Sequence, residues 1–216
     1  MGLTEELEGL LTSGFRALVR RLPSRDELAA FSRYLDLLLK WNRVYSLTTY
    51  RKPGEIVRSL FLDSLLFLPL LPAEANRLVD LGAGIGIPGI PVKIAQPERE
   101  LTLIEARRRR AGFLSAAVRE LGLGRTSVLH GRAEQLLEER QDLGGRFDAV
   151  LSRAAGRPAR IVPLAMKFLR KGGIVVLSGP PVGTRVGLPV PRCETKVLSS
   201  PAAGRPRQFF VVEKPS

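Results

Sequence analysis

The stretch that decides the fold is Val79-Asp80-Leu81-Gly82-Ala83-Gly84-Ile85-Gly86-Ile87-Pro88-Gly89, residues 79–89. It overlaps the end of the short apolar run 77–81, which predicts a β-strand, and leads into a helical segment over 88–95. Glycines at such a turn let the backbone bend sharply and approach a ligand, because no Cβ stands in the way. In an open parallel sheet, the crevice at the carboxyl ends of the strands is the usual position for a ligand. The stretch therefore predicts a strand–turn–helix unit that binds a small molecule.

Two classes of ligand fit this glycine loop. Residues 84–89 satisfy G-x-G-x-x-G, the dinucleotide pattern, which is a weak signal on its own. Counted from the end of the strand, Asp80 is followed by G-x-G-x-G, which resembles the first motif of methyltransferases that use S-adenosylmethionine. Pro88 also removes one of the helix N-terminal amides that a pyrophosphate needs. The loop thus favours a methyltransferase and leaves a nicotinamide-dependent oxidoreductase as the alternative. The loop glycines predicted to contact the cofactor are Gly82, Gly84 and Gly86.

A carboxylate follows the loop by about twenty residues, the spacing of a ribose-binding acid. Glu105 ends the apolar run 101–105, where it can accept hydrogen bonds from both ribose hydroxyls of either ligand. The alternative is an ion pair with the arginines that come directly after it. Glu105 is therefore a candidate cofactor-binding residue in both interpretations of the loop.

Strand-like and helical runs alternate from residue 76 onward. Strands are predicted at 77–81, 101–105, 127–130, 147–151 and 173–177, and helices between them at 88–95, 107–121, 133–140 and 158–169. Such alternation means parallel pairing through right-handed crossovers. The last two strands, near 195–198 and 208–212, have no helix between them, so we expect an antiparallel hairpin at one edge. The fold class is α/β: a Rossmann-like class I methyltransferase core, with a mostly parallel sheet and a terminal antiparallel hairpin.

The residues before this alternation are predicted to be helical. Thr4 can cap a first helix, and Ser24-Arg25-Asp26-Glu27 has the spacing of a capping box. A third helix is expected from about residue 55 to 68. We expect an N-terminal helical extension over residues 1–74, packed on an S-adenosylmethionine-binding methyltransferase core over residues 75–216. The apolar stripe of the second helix comprises Leu28, Phe31, Leu35, Leu38 and Asn42, widened by Leu39 and Tyr45.

The net charge of +13 at pH 7 is the strongest compositional feature. The excess is mostly arginine and includes the run Arg107-Arg108-Arg109-Arg110. A nucleic acid fits this balance, since each neutralised phosphate releases condensed counterions; a solvated arginine-rich surface is the alternative. One cysteine (Cys193) and one histidine (His130) exclude a disulfide framework and Cys/His zinc sites. With no targeting pattern and an apolar run, 60–71, too short to span a bilayer, we expect a cytoplasmic protein without a metal and favour a monomer.

Several motifs occur together in an order that resembles one family. They are Trp41-Asn42-Arg43-Val44-Tyr45-Ser46-Leu47-Thr48, Leu62-Asp63-Ser64, the glycine loop continued to Pro91, Gly131-Arg132-Ala133-Glu134 and Leu151-Ser152-Arg153-Ala154. From about residue 30 onward the chain resembles the bacterial 16S ribosomal RNA 7-methylguanosine methyltransferases, also called glucose-inhibited division protein B. The resemblance implies S-adenosylmethionine as cofactor, 16S ribosomal RNA or the small ribosomal subunit as partner, and guanine N7 as the methylated atom.

The resemblance also implies roles for single residues. Arg109 and Arg110 match the basic positions that open the helix after the second strand. The family usually has a lysine where Ser178 stands, and a nearby cation could replace its contact with phosphate; the candidates are Arg157, Arg160 and Arg185. The implied cofactor contacts are the loop residues Gly82 and Ile87, the ribose acid Glu105, the adenine-bordering pair Ala133 and Glu134, and Arg153 in the cleft shared by cofactor and substrate.

No catalytic side chain is predicted. Guanine N7 carries an in-plane lone pair and no proton, so it can attack a methyl group without a general base, and catalysis reduces to orientation and electrostatics. Methylases of exocyclic amines carry an Asn/Asp/Ser-Pro-Pro-aromatic motif after the fourth strand, where this chain reads Ser152-Arg153-Ala154-Ala155. Cys193 lies outside the predicted crevice. A catalytically idle RNA-binding module is the remaining alternative, and the intact loop with Glu105 argues against it.

Overall fold

The computed structural model describes residues 2–153, 158–184, 193–199 and 206–215, which build one seven-stranded sheet with helices on it. The strands are β1 (Arg77–Leu81), β2 (Glu100–Glu105), β3 (Thr126–His130), β4 (Phe147–Arg153), β5 (Leu169–Ser178), β6 (Cys193–Leu198) and β7 (Arg207–Glu213). Their order in the sheet is β3-β2-β1-β4-β5-β7-β6. The first five strands pair in parallel, whereas β7 is antiparallel to β5 and β6. The predicted α/β class, parallel sheet and terminal hairpin are confirmed.

Helices connect the parallel strands close to their predicted bounds. They are α5 (Gly89–Ala95), α6 (Arg108–Glu120), α7 (Ala133–Glu139) and α8 (Pro158–Phe168). Gly122 ends α6 in the left-handed region at φ +62°. The Gly122 N–H donates to the Arg119 carbonyl at 3.2 Å and the Leu123 N–H to the Val118 carbonyl at 3.0 Å. This Schellman motif satisfies carbonyls that the helix end would otherwise leave unpaired.

Two long helices precede the sheet. In α1 (Glu5–Leu18), the Thr4 side chain accepts from the Leu7 N–H, and in α2 (Arg25–Tyr45), Ser24 and Glu27 form the predicted capping box. The α2 stripe is buried as predicted at Phe31, Leu35, Leu38 and Asn42, and Leu28 is half-buried. Tyr45 departs from the prediction, because it lies in the last turn of α2, beyond the packed face, and is 43% exposed.

The predicted third helix is not continuous. It is divided into α3 (Pro53–Ile56), a π-helical turn (Val57–Leu62), α4 (Asp63–Leu65) and a 3₁₀ turn (Leu68–Leu70). A regular helix buries one stripe, whereas every residue from 60 to 68 is buried here. Tertiary packing on all sides therefore decides the backbone of this segment, and helical periodicity does not.

The N-terminal helices and the sheet share one hydrophobic core. Phe61 stacks on Tyr34 with ring centroids 5.0 Å apart and lies 5.3 Å from Phe31 of α2. The same cluster reaches the sheet at Leu103 of β2 and Phe209 of β7. This shared core holds the residues that follow α2 beside the carboxyl ends of the strands. Among the described residues, no helix is long and apolar enough to cross a membrane.

Candidate active site

The turn after β1 is a tight glycine loop at the carboxyl edge of the sheet. Gly82, Gly84 and Gly86 have φ angles of +70°, +61° and +87°, a region that favours glycine. The amides of Gly82 and Ala83 donate to the Ile104 carbonyl of β2 at 2.9 and 3.0 Å. The peptide bond between Ile87 and Pro88 is cis. The predicted strand–turn–helix unit is therefore present, and it is tied to the neighbouring strand.

The glycines of this loop serve different purposes. A Cβ on Gly86 would overlap the Ile90 side chain and lie 3.1 Å from the Tyr34 hydroxyl oxygen, so protein packing requires glycine there. A Cβ on Gly84 would meet nothing closer than 3.8 Å, with the Gly82 carbonyl and Arg110 Nη1 as its nearest neighbours. Gly84 thus borders open space, which is the space that a ligand would use.

Glu105 lies at the carboxyl end of β2 and fastens the glycine loop. Its Oε2 accepts the Gly84 N–H at 2.9 Å, and its Oε1 accepts the Arg107 N–H at 2.7 Å. The contact with Arg107 is made by its backbone amide. The alternative role for Glu105, an ion pair with the arginine side chains that follow it, is not formed in the described part of the chain. Each carboxylate oxygen has a second lone pair, so Glu105 can accept two further hydrogen bonds from a ligand.

Asp80 is the buried acid beneath the loop, and its partner was not identified from the sequence. Its Oδ2 accepts the Gly89 N–H at 2.9 Å, which ties β1 to the first turn of α5. Its Oδ1 is buried without a hydrogen-bond partner among the described residues. Burial raises the pKa of Asp80 to about 7; the bond from Gly89 opposes this shift and the negative charge of Glu105 adds to it. Near neutral pH this carboxyl is poised between its two protonation states.

The raised pKa makes the stability of the protein depend on pH in a defined direction. From pH 4 to 7 the folded state holds a proton on Asp80 that the unfolded chain, with an ordinary pKa of 3.8, has released. We therefore expect the contribution of Asp80 to the free energy of unfolding to be fully present below pH 4. This contribution should be lost as the pH rises to 7, by at most about 1.4 kcal/mol per pH unit. Denaturant unfolding of wild type and Asp80→Asn across this range measures it. Equal pH slopes for the two proteins would contradict the expectation.

A cavity of about 360 Å³ opens beside the loop, above the ends of β1 and β2. Three of the predicted cofactor contacts, Gly82, Ala133 and Glu134, line it together. Ile87 does not line this cavity; it is buried in the core shared with the N-terminal helices. The remaining lining residues are Leu81, Ile104, Ala106, Arg107, Gly131, Arg132, Ile161 and Leu164.

Arg153 lies at the end of β4, apart from this cavity. Its Nη2 is 3.0 Å from Asp63 Oδ2 and donates to the Ser59 carbonyl at 3.0 Å. Asp63 is also paired with Arg207, whose Nε lies 2.7 Å from Oδ1. Burial lowers the pKa of the Arg153 guanidinium; the charge of Asp63 opposes this and that of Arg207 adds to it. Sequence reasoning missed the roles of Asp63 and Arg207, although an acid inside the apolar run 60–71 was a signal.

The arginine run lies at the start of α6, next to the glycine loop. Arg107, Arg108 and Arg109 are exposed, and Arg110 is half-buried with its Nη2 3.5 Å from the Leu47 carbonyl. Cations at a helix N-terminus oppose the helix dipole, so the run does not serve the stability of α6.

The cations considered as replacements for the family lysine are only partly described. Arg160 is exposed on α8, and Ser178 is half-buried at the end of β5. Arg157 and Arg185 lie outside the described residues, as does Ala154 of the motif that follows β4. That one of these arginines replaces the lysine stays a prediction.

Comparison with known proteins gives consistent matches. Residues 27–179 match the model of the GidB family, described as rRNA small subunit methyltransferase G. Relatives named ribosomal RNA small subunit methyltransferase G occur in Sorangium cellulosum (43% identical, 69% of this chain and 63% of that one), Laribacter hongkongensis (41%, 80% and 78%) and Xanthomonas campestris (33%, 98% and 97%). The aligned segment thus spans less than two thirds of the Sorangium relative and nearly all of the Xanthomonas one.

Solved structures share the fold at low sequence identity. A putative O-methyltransferase from Klebsiella pneumoniae superposes with a TM-score of 0.58 at 16% identity, covering 98% of this chain and 97% of that one. M. jannaschii TYW2 in complex with AdoMet superposes with a TM-score of 0.50 at 15% identity, covering 65% and 68%. These likenesses show a shared fold, over nearly all of this chain in the first case and over about two thirds of it in the second.

Proposed function

Because this chain belongs to the GidB family, rRNA small subunit methyltransferase G, we propose that it transfers a methyl group from S-adenosylmethionine to N7 of a guanine in 16S ribosomal RNA. The resemblance inferred from the sequence motifs is confirmed at the level of the family. The observation that carries the proposal is the glycine loop with Glu105 behind it, facing open space at Gly84. The nicotinamide alternative loses its support, because the relatives named above are methyltransferases.

The residues present fit S-adenosylmethionine. A Cβ at Gly84 would enter the open space beside the loop, and the 360 Å³ cavity that Ala133 and Glu134 line has room for an adenine-sized group. Glu105 links the two, because its Oε2 accepts from Gly84 and its chain neighbours Ile104 and Ala106 line the cavity. Its carboxylate oxygens have further lone pairs for the ribose hydroxyls. We assign the cofactor contacts to Gly82, Gly84, Glu105, Ala133 and Glu134, with Arg153 at the border of the substrate. To Gly86 and Ile87 of the predicted set we assign the role of holding the loop that carries these contacts, since both pack into the protein.

The chemistry asks little of the protein beyond orientation. The bound cofactor supplies an electrophilic methyl group on a positively charged sulfur. The guanine N7 lone pair forms the new N–C bond as the C–S bond breaks and its electrons return to sulfur, so no proton has to be removed at N7. The described residues that would hold the cofactor are those of the glycine loop and Glu105 of β2, and the RNA base would approach from the ends of β4 and β5, where Arg153 lies. Well-oriented reactants of this kind can gain about 7–11 kcal/mol from positioning alone.

The arginine run supports an RNA substrate. Three of its four members are exposed, and their position at the N-terminus of α6 is unfavourable for the helix itself. An RNA backbone that runs past the start of α6 would neutralise the arginines with its phosphates and so remove their unfavourable interaction with the helix dipole. It would also bring a base to the cleft. The net charge of +13 supplies the long-range attraction that such a substrate needs.

Salt dependence tests this use of the arginines. We expect RNA affinity to fall steeply with salt, and each arginine of the run that touches phosphate to contribute about one unit to the slope of log K against log salt. A variant with Arg107, Arg108, Arg109 and Arg110 all changed to Gln is compared with wild type by filter binding at several salt concentrations. An unchanged slope would mean that the four arginines are only a solvated surface.

The decisive experiment offers labelled S-adenosylmethionine to small ribosomal subunits that lack the modification, and then maps the label. We expect one labelled guanine, carrying the methyl group at N7. Label at another atom or in another RNA would refute the proposed specificity, and no transfer at all would favour the idle RNA-binding module.

Three further expectations belong to the same proposal. The helical extension over residues 1–74 and the core over residues 75–216 act together, supported by the core that their side chains share. The protein works in the cytoplasm, where ribosomal subunits are assembled. The third expectation is that it acts as a monomer.

A further inference from the structure

A buried aspartate joins two arginines from different strands. Asp63 exposes only 6% of its side chain, and its two carboxylate oxygens contact Arg153 Nη2 at 3.0 Å and Arg207 Nε at 2.7 Å. Arg153 ends β4, Arg207 begins β7, and Asp63 follows directly on the π-helical turn. The Ser59 carbonyl of that turn accepts a second bond from Arg153 at 3.0 Å. Three separate elements are thus locked around one carboxylate.

The cluster has more positive charge than its carboxylate neutralises and more hydrogen-bond donors than the acceptors within it. Two guanidinium groups face one carboxylate, which leaves a net charge of +1. Nη1 of Arg153 is buried without a hydrogen-bond partner in residues 2–153, 158–184, 193–199 and 206–215. Arg207 leaves 38% of its side chain exposed while its Nε stays bound to Asp63. Arg207 therefore has exposed donors to offer to an incoming anion, and Arg153 adds charge and one unpaired donor beneath the surface.

The cluster lies on the side of the cleft where a substrate would enter. Arg153 pairs in register with Ser178 of β5, and Ser178 pairs with Phe209 of β7. Because β7 runs antiparallel, its first residue, Arg207, meets the same edge as the carboxyl ends of β4 and β5. The cavity assigned to adenine lies at the ends of β1 and β2, whereas this cluster lies on the other side of β1, toward β4, β5 and β7. The two arginines thus frame Ser178, the position where a lysine was expected from the family resemblance.

We propose that Asp63 is a positioning residue that holds Arg153 and Arg207 as a site for one phosphate group of the RNA substrate. The planar guanidinium fork matches the oxygens of a phosphate, and a fixed fork loses less freedom on binding than a mobile one. Arg207 then supplies, from the neighbouring strand, the cation that Ser178 does not. This inference rests on the proposed function, since it takes RNA as the polyanion, and it places Arg153 on the substrate side of the cleft.

The test separates positioning from mere stability. Asp63→Asn keeps the shape of the side chain but loses the charge, so it can no longer accept from both arginines, and Arg207 is released to solvent. We expect the KM for RNA to rise about 10-fold or more, the scale of a charge-assisted hydrogen bond, with the Kd for S-adenosylmethionine within about twofold of wild type. Arg207→Gln should lower the slope of log K against log salt for RNA by about one. The double variant, Asp63→Asn with Arg207→Gln, should bind RNA no more weakly than the more weakly binding single variant, because both changes disable the same site.

Asp142→Asn is the matched control. Asp142 also bridges two arginines, Arg140 at 2.8 Å and Arg146 at 3.8 Å, but on the surface, and its change should leave the KM and the salt slope unaltered. If Asp63→Asn lowers the melting temperature and leaves RNA KM and salt slope at wild-type values, the cluster is only structural. A selective rise in cofactor Kd would overturn the inference equally.

If Asp63→Asn does not fold, Arg207→Gln still tests the inference. An unchanged salt slope in Arg207→Gln would contradict it. Failure of the proposed function is a separate result: wild-type protein would then transfer no methyl group to 16S ribosomal RNA. Wild-type transfer combined with unaffected variants contradicts only the phosphate site.

Discussion

Gly84→Val is expected to remain folded and to lose S-adenosylmethionine binding, with a Kd raised by more than about 100-fold, or about 2.7 kcal/mol. The Gly84 N–H is held by Glu105 at 2.9 Å, so the loop keeps its place, and the nearest protein atoms to the new Cβ lie 3.8 and 3.9 Å away. The added Cβ therefore meets no protein atom closely, and the side chain extends into the space that we assign to the cofactor. Isothermal titration calorimetry with the cofactor and with S-adenosylhomocysteine measures the loss.

Backbone strain is the competing explanation, and the chain contains a matched control for it. Gly84 has a φ of +61° and Gly122 one of +62°, and a Cβ on Gly122 would meet nothing within 4 Å. Valine at either position therefore carries a similar left-handed penalty, about 1–2 kcal/mol. We expect both variants to lose comparable stability and only Gly84→Val to lose affinity. Undiminished binding by Gly84→Val would show that the cofactor does not pass over this glycine.

Glu105→Ala should weaken cofactor binding by about 1.5–3 kcal/mol, the range for hydrogen bonds to a charged group. This corresponds to a rise in Kd of about 10- to 150-fold. Part of the loss is direct, because the ribose hydroxyls lose their acceptor. Part is indirect, because the Gly84 and Arg107 amides lose the carboxylate that fixes them at 2.9 and 2.7 Å. Binding by calorimetry and unfolding by denaturant, measured on the same variant, separate the two.

Two further variants divide these contributions. Glu105→Gln retains one acceptor oxygen and should lie between wild type and alanine in affinity. Glu100→Ala, at the opposite end of β2, removes a half-buried carboxylate that pairs with Arg146 at 2.5 Å, and it should change stability without a selective change in affinity. If Glu105→Ala and Glu100→Ala cost stability alike and neither changes the cofactor Kd, Glu105 is a structural residue of the loop.

Together these variants test the two ends of one arrangement. The glycine loop and Glu105 are fixed by backbone hydrogen bonds within β1, β2 and their turns, so changes there should act on the cofactor. Asp63, Arg153 and Arg207 are fixed by side-chain contacts between distant elements, so changes there should act on RNA. A cofactor-specific loss at one end and an RNA-specific loss at the other would establish that division.

The sequence by itself determined the alternation of strands and helices, the glycine loop and the position of Glu105. These features depend on neighbours along the chain. Apolar spacing distinguishes a strand from a helix, and a glycine run marks a turn with positive φ wherever it folds. The Ser24 capping box and the Gly122 helix end were readable for the same reason, since their partners lie within five residues. The acid at the end of β2 followed from its spacing after the loop.

Only the tertiary structure decided what depends on residues far apart in the chain. The segment after α3 looked like one helix, but burial of every residue from 60 to 68 against the rest of the core broke it into shorter turns. The pairing of Asp63 with Arg207 joins residues 144 positions apart, and no local pattern encodes such a distance. The difference between Gly84 and Gly86 likewise appears only when Ile90 and Tyr34 are in place. Local periodicity specifies the elements, whereas the packing of their side chains decides which charges meet and which surfaces stay open.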